Sequence, residues 1–502
     1  MNYYLVSIFT FFGYILYKCY IYPLYLSPLR KIPGPPGNNF IFGHLISLFK
    51  DKQGEAFILL AKQYGGIIRF HTLLNKPYIS ITDPKLVQQV LINRPYEFPK
   101  FFISKSMVKD LVGKDDYFDF LNFKEMLPTF IQAGHKLKDA WLKQIGNKKE
   151  ERITITALIP KITLDVIGLV GFNYEFNSIT SDSELAQAYH SITNKTPSFL
   201  YMELSNIFPF IKKIPTSYNN QYWDSIKTIN NVSEKLIAEQ KNATVRGKDL
   251  LSLLIKINEN LSVNEQLTHN ELRSLVMTLL LAGHETTSSV LSWALYYLAK
   301  NPDIQDHLRK EVLDKFPDRN HFPTFEEIDH LKYLECVFKE SLRISPPDEI
   351  MNGYGTQFII PIYAIHHDPS IWGDDAEFFN PSRWLDPEIK SKISNNNFLP
   401  FGAGARNCLG MKMAQLEFKC VIPIIIRNFE FRLVEGFTFK KSTNGFCKPI
   451  PGIDLFVSKE QSATKNIPGT VYNKEILMEN GVMCSILSMT LPFIFANLSA
   501  NV

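Results

Sequence analysis

From Met1 to Tyr17 the chain carries no charge, Lys18 interrupts, and Cys19 to Leu29 is again uncharged. Spanning a bilayer takes about 20 predominantly apolar residues, and a lysine near one end can reach the interface. Lys18, Arg30 and Lys31 all follow the first apolar run, whereas a secretory signal carries its charge before the run and a small-residue cleavage site after it. The pattern therefore predicts an uncleaved membrane anchor over residues 1–26, with the main body on the cytosolic side. Lys31-Ile32-Pro33-Gly34-Pro35-Pro36-Gly37 comes next. Proline fixes φ and removes N–H donors, so residues 27–37 read as a helix-free, semi-rigid hinge. Helical patterning dominates from about Ile226 to Phe338, and short β-like runs occur near Ile67–Phe70, Tyr78–Ile81 and Phe358–Ile362. This predicts a mainly α protein with a minor β portion, one large domain over residues 38–460. The tail, 461–502, reads differently: Gly481 to Ala500 is uncharged but contains Pro492, Asn497 and several serines. A second membrane segment, a surface element and an appendage all fit it.

Composition narrows the function classes. With 54 basic and 50 acidic residues the net charge is +4 over 502 residues, too weak a field to imply nucleic-acid binding. Six cysteines, at 19, 336, 408, 420, 447 and 484, form no CxxC pair. That argues against a disulfide framework or a structural zinc site and fits a reducing compartment. Aromatics are frequent, led by 38 Phe, which suits an apolar pocket without naming a ligand.

Three constellations carry chemistry. Thr268 and Glu271 form a capping box ahead of a long apolar run, and Asn301-Pro302 stops it, so one helix is expected from His269 to Lys300. At 1.5 Å per residue it is about 48 Å long, enough to cross a whole domain. In its middle lies Ala282-Gly283-His284-Glu285-Thr286-Thr287. A zinc-protease helix needs His at position 288, where this chain has Ser288, so that reading fails. What remains is a place of close approach at Gly283, a hydroxyl at Thr286 that can compete for helix carbonyls, and a carboxylate, Glu285, that needs a purpose or a partner. A kinked core helix whose Glu reaches solvent fits this segment as well.

The second constellation is Glu340-Ser341-Leu342-Arg343, with Glu and Arg on one helix face, and a further arginine in Phe379-Asn380-Pro381-Ser382-Arg383-Trp384. Alone, each reads as readily as a surface pair. The third is Phe401-Gly402-Ala403-Gly404-Ala405-Arg406-Asn407-Cys408-Leu409-Gly410, leading into a helix from Met411. As a phosphate loop it fails, because Asn407 stands where the dinucleotide fingerprint needs Gly and no Walker Lys-Ser/Thr follows. As a metal-thiolate loop it makes sense. Gly402, Gly404 and Gly410 let the backbone lie flat against a planar cofactor, the helix N-terminus favours the Cys408 thiolate, and Arg406 can meet an anionic group.

Taken in order, these motifs resemble the cytochrome P450 family, haem-thiolate monooxygenases, of the microsomal type, over roughly residues 30–460. The resemblance implies haem b (iron protoporphyrin IX) with Cys408 as its proximal iron ligand, Arg406 on a propionate and Phe401 beside the thiolate. It implies that Thr286, aided by Glu285, delivers protons during oxygen activation, with Ala282 and Gly283 leaving room for dioxygen. Glu340, Arg343 and Arg383 form a buried structural lock behind the haem. One oxygen atom is inserted into an apolar organic substrate (lipid, sterol or xenobiotic-like). Electrons come from NADPH through NADPH–cytochrome P450 reductase at a basic proximal face, with cytochrome b5 as a further partner. The implied location is the endoplasmic reticulum membrane, single-pass, in contact with membrane lipid, with the catalytic domain cytosolic.

Two stretches depart from the family. No arginine occurs between Arg94 and Arg152, where members carry a propionate-gripping helix residue, and the chain passes from Val112-Gly113-Lys114-Asp115 to Phe118 within a few residues. None occurs between Arg343 and Arg383 either, and the segment 347–356 is short. Losing one member of a desolvated charge pair can cost about 2–5 kcal/mol. His366 and nearby lysines are the candidate substitutes. The rival readings are a catalytically impaired member of the same fold and a haem-thiolate isomerase that needs no external electrons. The intact acid–alcohol pair favours the monooxygenase.

Overall fold

The computed structural model describes residues 2–36, 39–50, 54–98, 123–180, 183–194, 201, 204–205, 208–242, 247, 249–347, 350–353, 357–441 and 447–460. The tail 461–502 and the shortened stretch at 113–118 lie outside the described residues, as does part of 347–356.

Helix α1 (Asn2–Leu16) continues through wider π-type turns to Leu26, and Tyr3–Lys31 is long and apolar enough to cross a membrane. Its large side chains, among them Tyr3, Phe9 and Phe12, face outward. A second apolar stretch, Ile155–Phe172, passes the same test but is 67% buried, which marks it as core. The hinge is less free than its prolines suggest. Strand β1 (Ile67–His71) donates the Arg69 N–H to the Pro33 carbonyl at 2.8 Å. A Cβ added at Gly34 would fall 1.9 Å from the Arg69 carbonyl oxygen. Tyr20 and Phe40 also pack together, tilted, with centroids 4.7 Å apart. Proline-rich backbone cannot donate, but its carbonyls still accept, and here one of them docks the segment along the sheet.

That sheet has the order β1–β2–β5–β4, with β2 at Pro77–Ile81, β4 at Ile350–Gly353 and β5 at Phe358–Pro361. β1 and β2 are antiparallel, β2 and β5 parallel, β5 and β4 antiparallel. A second sheet, β3–β9–β6, is antiparallel throughout, with β3 at Glu150–Thr154, β6 at Phe429–Leu433 and β9 at Asp454–Lys459. The short pair β7 (Lys440–Lys441) and β8 (Pro449–Ile450) closes the set.

Helices make up most of the body. The longer ones are α2 (Glu55–Tyr64), α3 (Phe123–Ile145), α4 (Ile159–Phe172), α5 (Glu184–Asn194), α6 (Ser217–Asn242) and α7 (Leu250–Asn260). After them come α8 (His269–Lys300), α9 (Pro302–Lys315), α10 (Lys332–Ile344) and α11 (Met411–Ile426). α8 spans the residues that its capping box and Asn301-Pro302 predict, and both halves of the box are formed. It is buried over most of its length and packs chiefly on α4, while α11 packs chiefly on α3. Gly134 makes the α3–α11 crossing close, since a Cβ there would sit 2.7 Å from the Ile424 side chain. One continuous apolar core runs through α3, α4, α8, α10 and α11, and Ala282 and Phe401 both pack against it. The middle of the long helix and the cysteine loop thus share one interior.

Candidate active site

The cysteine loop begins where Leu399 enters the core and ends where α11 starts at Met411. Gly402 and Gly404 have φ of 73° and 66°, conformations that other L residues adopt only with strain. The glycine pattern predicts flatness against a cofactor; for Gly404 the structure supplies a further reason. A Cβ there would meet the Leu91 carbonyl oxygen at 2.3 Å, so Gly404 lets the loop press against the backbone of residues 91–92. Gly410 has an ordinary φ of −82° at the start of α11. The Cys408 N–H donates to the Phe401 carbonyl at 2.7 Å, closing the loop into a compact turn. Phe401 packs near Phe338, with centroids 6.3 Å apart.

Cys408 is a free, partly exposed cysteine. Burial of its sulfur pushes the thiol up to about 11, and the Gly410 N–H, which points at the sulfur, works in the opposite direction. A bound metal would hold a thiol placed in this way at a helix N-terminus as the thiolate. The backbone of Arg406 lies in the turn Gly404–Arg406; its side chain is outside the described residues.

Behind the loop, Glu340, Arg343 and Arg383 meet in the interior. The two Glu340 oxygens accept from Arg343 Nε and Nη2, Arg383 Nε, Trp384 Nε1 and the Asn380 N–H, each at 2.9 Å. Arg343 Nη1 also donates to the His366 and Ala376 carbonyls and its Nη2 to that of Phe378, so every guanidinium proton has an acceptor. Arg383 is held further by Asp375, at 2.8 and 2.9 Å. Burial alone would lower the Arg383 pKa, but Glu340 and Asp375 outweigh it and raise it. A buried ion cluster is stable only when each lone pair and proton is matched in this way. The fully buried His366 uses both ring nitrogens within the protein, on the Arg343 carbonyl and the Leu399 N–H. It therefore has no nitrogen left for a cofactor carboxylate, which removes it as a substitute for the missing arginines.

On α8, the Thr286 hydroxyl donates to the Ala282 carbonyl at 2.7 Å, the back-bond open to a mid-helix threonine. Gly283 is buried and Ala282 partly so. Glu285 is buried and does not reach solvent as a bland core helix would allow. One oxygen accepts from Thr193 of α5 at 3.0 Å and lies 3.3 Å from His284 Nε2, while the other is ion-paired with Lys448, next to β8. Burial would raise this carboxyl, yet Lys448 and then His284 overturn that and hold it well below the usual carboxylate range. Beside it lies a cavity of about 520 Å³ whose lining includes Gln187, His190, Ser191, Ser288, Glu285 and Lys448. Thr193 and Lys448 have no signal in the sequence, because neither stands at helix spacing from Glu285. Trp384 and Asp375 were within reach, one adjoining Arg383 and the other in the same loop.

Comparison with known proteins agrees with this arrangement. The family model for cytochrome P450 matches residues 117–457. Cytochrome P450 monooxygenase 128 of Postia placenta is 29% identical over 481 residues, covering 82% of this chain and 87% of that protein. Cytochrome P450 monooxygenase sphH of Aspergillus fumigatus is 28% identical over 475 residues, covering 84% and 86%. Cytochrome P450 monooxygenase claP of Ampulloclitocybe clavipes is 28% identical over 466 residues, covering 81% and 86%. With a free cysteine at the head of α11, a closed Glu–Arg–Arg cluster behind it and an acid–alcohol pair on the long helix, the chain belongs to the cytochrome P450 family and is a monooxygenase of that family.

Proposed function

We propose that this monooxygenase is membrane-anchored, carries haem b on Cys408, and inserts one atom of dioxygen into an apolar organic substrate of lipid, sterol or xenobiotic type. The observation that carries the reading is the Cys408 sulfur. The sulfur is shielded from solvent within a partly exposed residue, faces the Gly410 N–H, and sits in a loop pinned by the Phe401 carbonyl. That donor suits a thiolate bond to a planar iron cofactor, and the compact glycine turn beside it is consistent with close approach of a ring. When bound, the haem supplies the oxidising chemistry, with electron donation from the thiolate.

The remaining roles belong to this chain's own residues. Glu340, Arg343 and Arg383 fix the protein behind the cysteine loop. Ala282 and Gly283 keep the middle of α8 narrow. The Glu285 carboxylate takes up a proton by way of the adjoining cavity as Lys448 lets go of the carboxylate, and the Thr286 hydroxyl orients that proton toward the reacting centre. Phe401 shields the sulfur, and Arg406 is assigned to a cofactor carboxylate.

Electrons are assigned to NADPH by way of a separate reductase, with cytochrome b5 as a second donor. The anchor reading rests on the outward-facing apolar side chains of Tyr3–Lys31 and on the positive residues that follow it. On that reading we assign the protein to the endoplasmic reticulum membrane with a cytosolic body. The test is optical. The full chain, supplied with haem, reduced and exposed to carbon monoxide, gives the Soret band of a thiolate-ligated carbonyl, and Cys408→Ala abolishes it. Absence of the band in the unaltered, haem-supplemented chain overturns the reading. A normal band without NADPH consumption in the presence of reductase and substrates points to isomerase chemistry instead.

A further inference from the structure

His366 is fully buried at the end of the short helix Ile362–His366, between the Glu–Arg–Arg cluster and the entrance to the cysteine loop. Its contacts to Arg343 are reciprocal. Arg343 Nη1 donates to the His366 carbonyl at 2.8 Å, and His366 Nδ1 lies 3.2 Å from the Arg343 carbonyl. A carbonyl only accepts, so Nδ1 carries the proton and Nε2 is the free acceptor. Nε2 takes the Leu399 N–H at 2.9 Å. Leu399 is itself fully buried, and its carbonyl accepts the Gly402 N–H at 3.0 Å. The next carbonyl pair in the loop is Phe401 with the Cys408 N–H. A continuous run of bonds thus links Glu340, Arg343, His366, Leu399 and Gly402 to the turn that holds Cys408. Phe398 and Trp372 hold the imidazole in place, with ring centroids 5.3 and 6.2 Å away.

We infer that His366 is the positioning residue that transmits the fixed geometry of the Glu340–Arg343 pair into the backbone of the Cys408 loop, through the Leu399 amide. Only one arrangement serves: a donor toward Arg343 and an acceptor toward Leu399, in one rigid ring. A buried N–H left without an acceptor is costly, so the loop entrance stays closed while Nε2 is free. Loss of that acceptor lets Leu399 seek water, and the sulfur then shifts with the loop. The inference rests on the reading of Cys408 as the iron ligand, and its test has an arm independent of that reading.

Two amide side chains separate the two bonds. His366→Gln can place an oxygen near the position of Nε2, and His366→Asn reproduces only the Nδ1 side; His366→Leu removes both. In the full chain, hydrogen exchange at the Leu399 amide is expected to match wild type in His366→Gln and to quicken about tenfold or more in His366→Asn and His366→Leu. In the haem-loaded, reduced, carbon monoxide-bound protein, the thiolate-type band is expected to persist in the Gln variant. In the Asn variant the spectrum shifts toward the neutral-thiol type, at similar overall resistance to denaturant. If Asn protects Leu399 as well as Gln does, or if the spectral change only follows global stability, the inference is overturned. If the wild-type chain lacks the thiolate-type band, the Cys408 reading fails, and the Leu399 exchange series still decides the role of His366.

Discussion

The two buried acidic residues of the site, Glu340 and Glu285, are neutralised in opposite ways. Glu340 sits in a closed network in which the two oxygens face five donors, and Arg343 is satisfied to its last N–H. Glu285 has fewer partners, Thr193 of α5, its neighbour His284 and Lys448 beside β8, and a cavity adjoins it. A closed, dry network has one low-energy arrangement, which suits a part that must not move. A carboxylate on a single lysine with room beside it has alternatives, which suits a group that exchanges protons. Under the proposed function, charge burial serves rigidity behind the cysteine loop and proton handling on the long helix.

The strongest way to break this contrast is Glu340→Ala. It leaves two buried guanidinium groups without their shared acceptor, and about 3–5 kcal/mol of stability should be lost. Denaturant unfolding of the variant measures this. A loss under about 1 kcal/mol would show that the cluster is not the closed network described.

Lys448→Met probes the other side and is expected to cost less, about 2 kcal/mol, because Glu285 can take a proton and keep Thr193 and cavity water as partners. The pH dependence gives the sign. In the wild-type protein the folded Glu285 pKa lies below its ordinary value of 4.5, so its contribution is present above pH 4.5 and is lost as pH falls below it. Without Lys448, burial is opposed only by His284, so the folded pKa is expected to rise and ionisation at neutral pH to support folding less. The variant should therefore recover part of its deficit as the pH is lowered from 7 to about 5. Unfolding curves at the two pH values decide this, and a deficit that is constant across them would mean that Lys448 does not set the state of Glu285.

The same contrast governs what could be read from the sequence. Proximal features are local. The capping box fixed α8 at His269, the i,i+3 spacing put Glu340 and Arg343 on one face, and the ten residues around Cys408 carry their own turn chemistry. Distal features are not. Lys448 reaches Glu285 only because the β7–β8 pair folds back over α8, where the Cys447 carbonyl accepts from Ser289 and from Trp293. No periodicity encodes such a return. Two local readings also needed the packing around them. Pro33 of the proline hinge is bonded to β1, and Gly404 has Leu91 against it, a requirement additional to any cofactor contact. In both, backbone from a remote segment set the requirement.

Thr286→Ala is the smallest change and the sharpest on function. It removes one back-bond to Ala282 and installs a better helix former, two effects that nearly cancel, so stability should move by no more than about 0.5 kcal/mol. Neither the cysteine loop nor the Glu340 cluster is touched, so the thiolate-type carbon monoxide band should be unchanged. If the hydroxyl guides protons, reducing equivalents should instead leave as hydrogen peroxide, with less product per NADPH consumed. Peroxide yield and product yield, measured on the same sample, test this together. Normal coupling in the variant would remove Thr286 from proton handling and leave that role to Glu285 and its partners Lys448 and His284. A lost band would mean that the distal helix and the cysteine loop are mechanically coupled, contrary to the separation drawn between them.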